Sequence, residues 1–167
     1  MCLDDSLPVD RELLLRFFLE FARFEYALKA SGIFKQHPGK PGQPPKAEPD
    51  WDTFAVSLRD TFDAEATEPL AQACEFLRDS PPNRQVIVAG EVAWETPINV
   101  ENETDIEFLL RMVRVVRNNL FHGGKYNLDL HESAERTEKL LRSSLTILDA
   151  CLNIAPAQQA AYLDARL

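Results

Sequence analysis

The run Ile106-Glu107-Phe108-Leu109-Leu110-Arg111-Met112-Val113-Arg114-Val115-Val116-Arg117-Asn118-Asn119-Leu120-Phe121-His122-Gly123-Gly124-Lys125 says more about the architecture than any other part of the chain. At about 100° per residue, Ile106, Leu109, Leu110, Val113, Val116 and Leu120 share one broad sector. Phe108, Met112 and Val115 widen it on one flank. This is the pattern of a helix seated on a core, starting at Glu103 or Thr104 and stopped by Gly123-Gly124. Arg111, Arg114, Asn118 and His122 gather on the opposite, polar side. Arg117 breaks the pattern, because it projects between Val113 and Leu110 inside the apolar sector. An uncompensated ion buried there costs on the order of several kcal/mol, so a carboxylate partner or an interface is expected.

Charge is unevenly spread around this helix. From Phe108 to Asn127 there are four cations (Arg111, Arg114, Arg117 and Lys125) and no acid. That window is +4 and the remainder −13, in a chain whose net charge is −9. Glu101, Glu103, Asp105 and Glu107 lie just before it. Acids at a helix start and bases toward its end suit the macrodipole, which accounts for the polarity but not for Arg117. A charge of −9 argues against broad, charge-driven nucleic-acid binding. A small basic site on an acidic body fits selective phosphate recognition.

Two further long helices flank the run. Asp10 can cap a helix from about Arg11 to Ser31, stopped by Gly32, with Leu14, Phe17, Phe18, Phe21, Phe24, Ala27 and Leu28 as its core stripe. Glu25 sits beside that stripe, either as a surface carboxylate or as the group that neutralises or orients Arg117. A final long helix is expected from about His131 to Asn153, on Leu141, Leu145, Leu148 and Leu152, with a short tail helix restarting at Pro156. Between the first helix and the central run, a helix is expected from Asp50-Trp51 to Ala64, with Trp51, Phe54, Ala55, Leu58 and Phe62 on one face. Thr67-Glu68-Pro69 reads as a cap and first turn of another helix, ending at Ser80-Pro81-Pro82. Alternation in Val86-Ile87-Val88, followed by Gly90, predicts a small β-hairpin over about 85–94. The stretch 35–49 holds five prolines and two glycines, and is expected to be an irregular, mobile loop. The fold class is therefore all-α, an up-and-down helical bundle carrying a long Pro/Gly-rich loop and a small hairpin insertion.

Length and composition suit a single domain over 1–167. No run approaches the roughly 20 apolar residues of a membrane span, and Met1-Cys2-Leu3-Asp4-Asp5 lacks a basic n-region. Cys2, Cys74 and Cys151 have no metal-ligand spacing, so reduced thiols in a cytoplasmic protein are expected. His37 and His131 are read as surface residues. No His/Cys cluster or inward set of carboxylates offers a metal cage, and no cofactor is expected.

Arg117 and His122, with Asn118 between them and Gly-Gly after, supply what a metal-free phosphodiester site needs. Arginine is a permanent cation with a planar fork of donors, and histidine exchanges a proton near neutral pH. The segment resembles the signature of the HEPN superfamily (higher eukaryote and prokaryote nucleotide-binding domains): an arginine, a polar residue directly after it, and a histidine a few positions on. Phe24-Glu25-Tyr26-Ala27-Leu28-Lys29 is similar to the first helix of such proteins. The resemblance covers roughly 10–30 and 103–153, and not 33–100.

The resemblance implies a metal-independent endoribonuclease with Arg117, Asn118 and His122 as catalytic residues and Arg111, Arg114 and Lys125 as substrate contacts. It implies cleavage to a 2′,3′-cyclic phosphate and a 5′-hydroxyl by a homodimer, and a toxin or phage-defence role, often with a nucleotidyltransferase-like antitoxin. On one ideal helix Arg117 and His122 diverge by about 140°, so two copies meeting at an interface assemble the site more readily than one. The expected interface includes the polar side of the 103–122 helix. Two other readings stand beside this one: a non-catalytic nucleotide- or partner-binding module of the same fold, and a structural helical interaction protein.

Overall fold

A computed structural model of the chain describes residues 9–39, 42–121 and 134–165. Its elements are α1 (Arg11–Ala30), β1 (Phe34–His37), β2 (Lys46–Pro49), α2 (Trp51–Ser57), α3 (Glu68–Asp79), β3 (Arg84–Val88), β4 (Glu91–Glu95), α4 (Asp105–Phe121), α5 (Ala134–Asn153) and α6 (Pro156–Asp164). The protein is mostly helical, with two small antiparallel hairpins. α5 packs on α1, α3, α4 and α6, while α2 packs on α4.

Local chemistry sets most boundaries. Asp10 caps α1 by accepting from the Glu12 and Leu13 amides. The helix ends where Ile33 donates to the Leu28 carbonyl and Gly32 to that of Lys29, around a left-handed Gly32. Only glycine takes that turn without strain. Thr67 caps α3, as its position before Glu68-Pro69 predicts. At the start of α4 the Glu107 carboxylate reaches back and accepts from both the amide and the hydroxyl of Thr104, which is one half of a capping box.

The core joins the three long helices. Phe17, Phe24, Leu28, Leu109, Met112, Val113, Leu141 and Ile147 are fully buried. Cys74 on α3 and Cys151 on α5 are buried free thiols. Trp51 stacks on Phe24 at 5.2 Å and 2° between planes, and on Phe21 at 5.2 Å, which pins α2 to α1. α1 presents Leu13 to the core in place of the expected Leu14, which is only partly buried, and Phe18 points outward. On α5, Leu141, Leu148 and Leu152 are buried as expected, and Leu145 is partly so.

Two expectations are corrected. The 35–49 stretch is not an irregular loop: β1 and β2 pair antiparallel, Phe34 opposite Pro49 through His37 opposite Lys46. Pro38, Pro44 and Pro45 fall in the connection and Pro49 at the end of the ladder, where a missing amide donor costs least. α2 stops at Ser57 rather than Ala64, because the Leu58 and Arg59 amides turn to the Ala55 and Val56 carbonyls and the chain leaves in tight turns. The second hairpin forms as expected. Ala89 and Gly90 both adopt positive φ in a two-residue turn matched to the twist of β3 and β4.

Candidate functional site

The arginines of α4 change character along the helix. Arg111 closes on Glu103 with its Nε and one terminal nitrogen, both at 2.6 Å, and also donates to the Ile98 carbonyl. That contact holds the Glu103 carboxyl below its ordinary pKa. Arg114, one turn on, makes a single 3.2 Å contact with Asp52. Asp52 also takes the Lys35 ammonium at 2.7 Å and raises its pKa. Arg117 forms no ion pair with any described carboxylate. It donates at 3.1 Å to the neutral Oδ1 of Asn118 and lies over the rings of Phe121 and Phe21, at 5.0 and 5.7 Å from their centroids.

This placement answers the expensive charge predicted from the helical wheel. The Arg117 side chain leaves the edge of the apolar sector and lays its guanidinium on aromatic faces, where cation–π attraction replaces a counter-ion. The residue is therefore half-buried rather than sealed in the core.

Glu25 is not joined to Arg117 by an ion pair. It accepts from the Trp51 indole at 3.3 Å. Both nevertheless line one cavity of about 380 Å³, together with Phe21, Glu48, Pro49, Trp51, Arg114 and Asn118. The wheel set Arg117 apart from the polar side, yet the structure brings Arg114, Arg117 and Asn118 onto a shared recess. Its far wall is built by α1, β2 and α2, which a single-helix projection cannot show. Glu48 on that wall is paired with His37 at 3.0 Å.

Arg111 stands outside this cavity. With Arg114 it lines a second recess of about 380 Å³ between α2 and α4, among Asp52, Arg59, Glu103 and Glu107. A larger groove of about 460 Å³ between α1, α5 and α6 holds Arg16, Glu20, Arg142 and Asp149, and none of the candidate site residues lines it. His122 and Lys125 lie outside the described residues. Among the described residues no cluster of His, Cys, Asp and Glu is placed to hold a metal ion, and no helix is long and apolar enough to cross a membrane.

One residue of the segment was missed in the sequence. Asn119 is buried and donates through Nδ2 to the Asn83 carbonyl at 2.7 Å, tying the end of α4 to the entry of β3. The signal was present: on the wheel Asn119 falls between Phe108 and Met112, in the buried sector. Searches against protein-family models, curated proteins and solved structures found no match.

Proposed function

We propose that the end of α4 is the anion-binding half of a metal-independent, HEPN-type ribonuclease site. The observation that carries this reading is Arg117: alone among the three arginines of α4 it has no carboxylate partner among the described residues, and it faces a cavity. A guanidinium held on aromatic rings keeps its charge and one edge available for a phosphate oxygen.

In this reading the RNA 2′-hydroxyl attacks the adjacent phosphorus, the P–O5′ bond breaks, and a 2′,3′-cyclic phosphate and a 5′-hydroxyl result. His122 moves the proton, Arg117 meets the charge growing on the phosphorane, and Asn118 fixes the Arg117 fork. Arg114 supplies a second cation once it releases Asp52, and Lys125 a third. Arg111, taken up by Glu103, serves the helix instead. On an ideal helix Arg117 and His122 would diverge by about 140°, an arrangement that favours a homodimer whose α4 ends converge as the active form. A toxin or phage-defence role with a nucleotidyltransferase-like antitoxin belongs to the same proposal.

A second reading has its own support. Glu25 and Glu48 share the cavity with Arg114 and Arg117, which suits a ligand bearing both charges and hence a non-catalytic nucleotide- or partner-binding module. One experiment separates the two. Purified protein is incubated with RNA in EDTA beside His122→Ala, and the product ends are identified. Cleavage to cyclic-phosphate ends that His122→Ala abolishes is expected. Intact RNA with the unaltered protein, or full activity in His122→Ala, rejects the ribonuclease.

A further inference from the structure

α1 is apolar on both sides. Phe17 and Phe24 are sealed in the core, while the opposite side shows Leu15 at 59%, Phe18 at 45%, Leu19 at 37% and Tyr26 at 52% exposure. A solvated helix normally carries charge on that side, and a continuous exposed stripe marks an interaction surface. Leu15, Leu19, Ala22 and Tyr26 follow the alternating four–three spacing of a coiled-coil seam, with Phe17 and Phe24 at the positions turned furthest from it. Extending the spacing adds Glu12 at one end and Lys29 at the other. Neither side chain makes an ion pair with a described residue.

We infer that this face of α1 docks against α1 of a second copy, antiparallel across a two-fold axis. The occupant is chosen by charge. A symmetric antiparallel pair centred between Glu20 and Phe21 sets Glu12 against Lys29 of the other copy at both ends. Between those ion pairs it stacks Leu15 on Tyr26 and Leu19 on the small Ala22, also twice each. A parallel pair would instead oppose like charges, Glu12 to Glu12 and Lys29 to Lys29. The antiparallel register does bring Arg16 toward Arg23 of the other copy, but Arg23 is already held by the Tyr162 carbonyl at 2.7 Å.

The seam bears on the α4 end. Phe18 flanks it and meets Phe121 at 5.3 Å between centroids, and Arg117 lies over the same Phe121 ring. In an antiparallel pair equivalent flanks fall on the same side, so both Arg117 ends are drawn to one side of the dimer. This is a different surface from the polar side of α4 expected from the sequence, whose Arg111 and Arg114 are occupied within the chain. The surface itself does not rest on the ribonuclease reading.

The test is sedimentation equilibrium on the full chain with three variants. The unaltered protein is expected to dimerise with a Kd of about 1–100 µM, as befits a short seam. Leu15→Glu is expected to be monomeric at those concentrations with unchanged helical circular dichroism. Glu12→Lys and Lys29→Glu each oppose like charges twice, and each should weaken the dimer about tenfold. An equimolar mixture of these two should recover the original affinity as a heterodimer. A chain monomeric at about 1 mM overturns the inference, as does a dimer indifferent to all three substitutions. A monomer in which Leu15→Cys resists alkylation also overturns it, and assigns the stripe to another segment of the same chain. RNA cleavage by the same samples is scored separately: a dimer without cleavage keeps the surface and removes the ribonuclease.

Discussion

At the start of α4, Arg78 grips Asp105 and Arg59 grips Glu107, each through two contacts of 2.6–3.1 Å, and Arg111 closes on Glu103. At the far end, Arg117 meets a neutral amide and two aromatic rings. The same side chain thus serves opposite ends. At the start, the contacts fasten α4 to the turn that follows α2, to α3 and to the segment just before α4. At the far end the cation has no carboxylate partner among the described residues, and it lines a cavity.

The sharpest way to break that contrast is Arg117→Ala. RNA cleavage in EDTA is expected to fall by more than about 100-fold, the loss seen when a fixed donor to a developing charge is removed. Stability should change by less than about 1 kcal/mol in urea denaturation, since the side chain lost is half-buried and has no ion pair with a described residue. Arg117→Lys should recover little activity, because an ammonium lacks the planar fork. If Arg117→Ala unfolds the chain while His122→Ala remains fully active, Arg117 belongs with the structural arginines and the contrast collapses.

Arg111→Ala should behave in the reverse way. Glu103 is largely buried, and removing its partner strands a carboxylate, so a loss of about 2 kcal/mol is expected by urea denaturation. Cleavage per folded molecule should stay within about twofold of the original. A large drop in cleavage with unchanged stability would move Arg111 into the site.

The smallest effect is a titration. The Arg59 contact, with help from Thr104, holds the Glu107 carboxyl at about 2 against an ordinary 4.5. A carboxylate with a lowered folded-state pKa contributes stability that is complete above its unfolded value and lost as pH falls toward the folded one. Glu107 should therefore weaken the protein between about pH 4.5 and 2. Glu107→Gln keeps the capping geometry but removes the charge. It should cost roughly 0.5 kcal/mol at pH 7 by thermal unfolding and flatten the acid limb. An unchanged acid limb would show that the pair with Arg59 contributes nothing.

Long periodic elements were legible in the sequence because burial enforces their spacing. α1, α3, α4, α6 and the described part of α5 fall where their stripes and caps place them, and Gly90 marks the β3–β4 turn. The β1–β2 hairpin was not legible: its four-residue strands are mostly exposed, so no alternating pattern announces them, and the prolines of the connection dominate the reading. The end of α2 was hidden for a related reason, since apolar spacing continues through Leu58 and Phe62 after the chain has left the helix in tight turns. In the candidate site, the wheel located Arg117 inside the apolar sector and could not see what lay across from it. The rings of Phe21 and Trp51 and the carboxylates of Glu25 and Glu48 arrive from other elements.

The two buried cysteines turn the protein into its own reporter. Burial raises the Cys74 thiol to about 12 and pushes that of Cys151 up as well, so the reactive thiolate is scarce at neutral pH even before access is considered. Alkylation must wait for an opening event that bares the sulfur. Cys74 sits on α3 and Cys151 on α5, two helices packed against each other. Equal labelling rates at the two thiols mean that the bundle opens as one cooperative unit, whereas faster labelling of Cys74 means that α3 peels away while α5 stays folded.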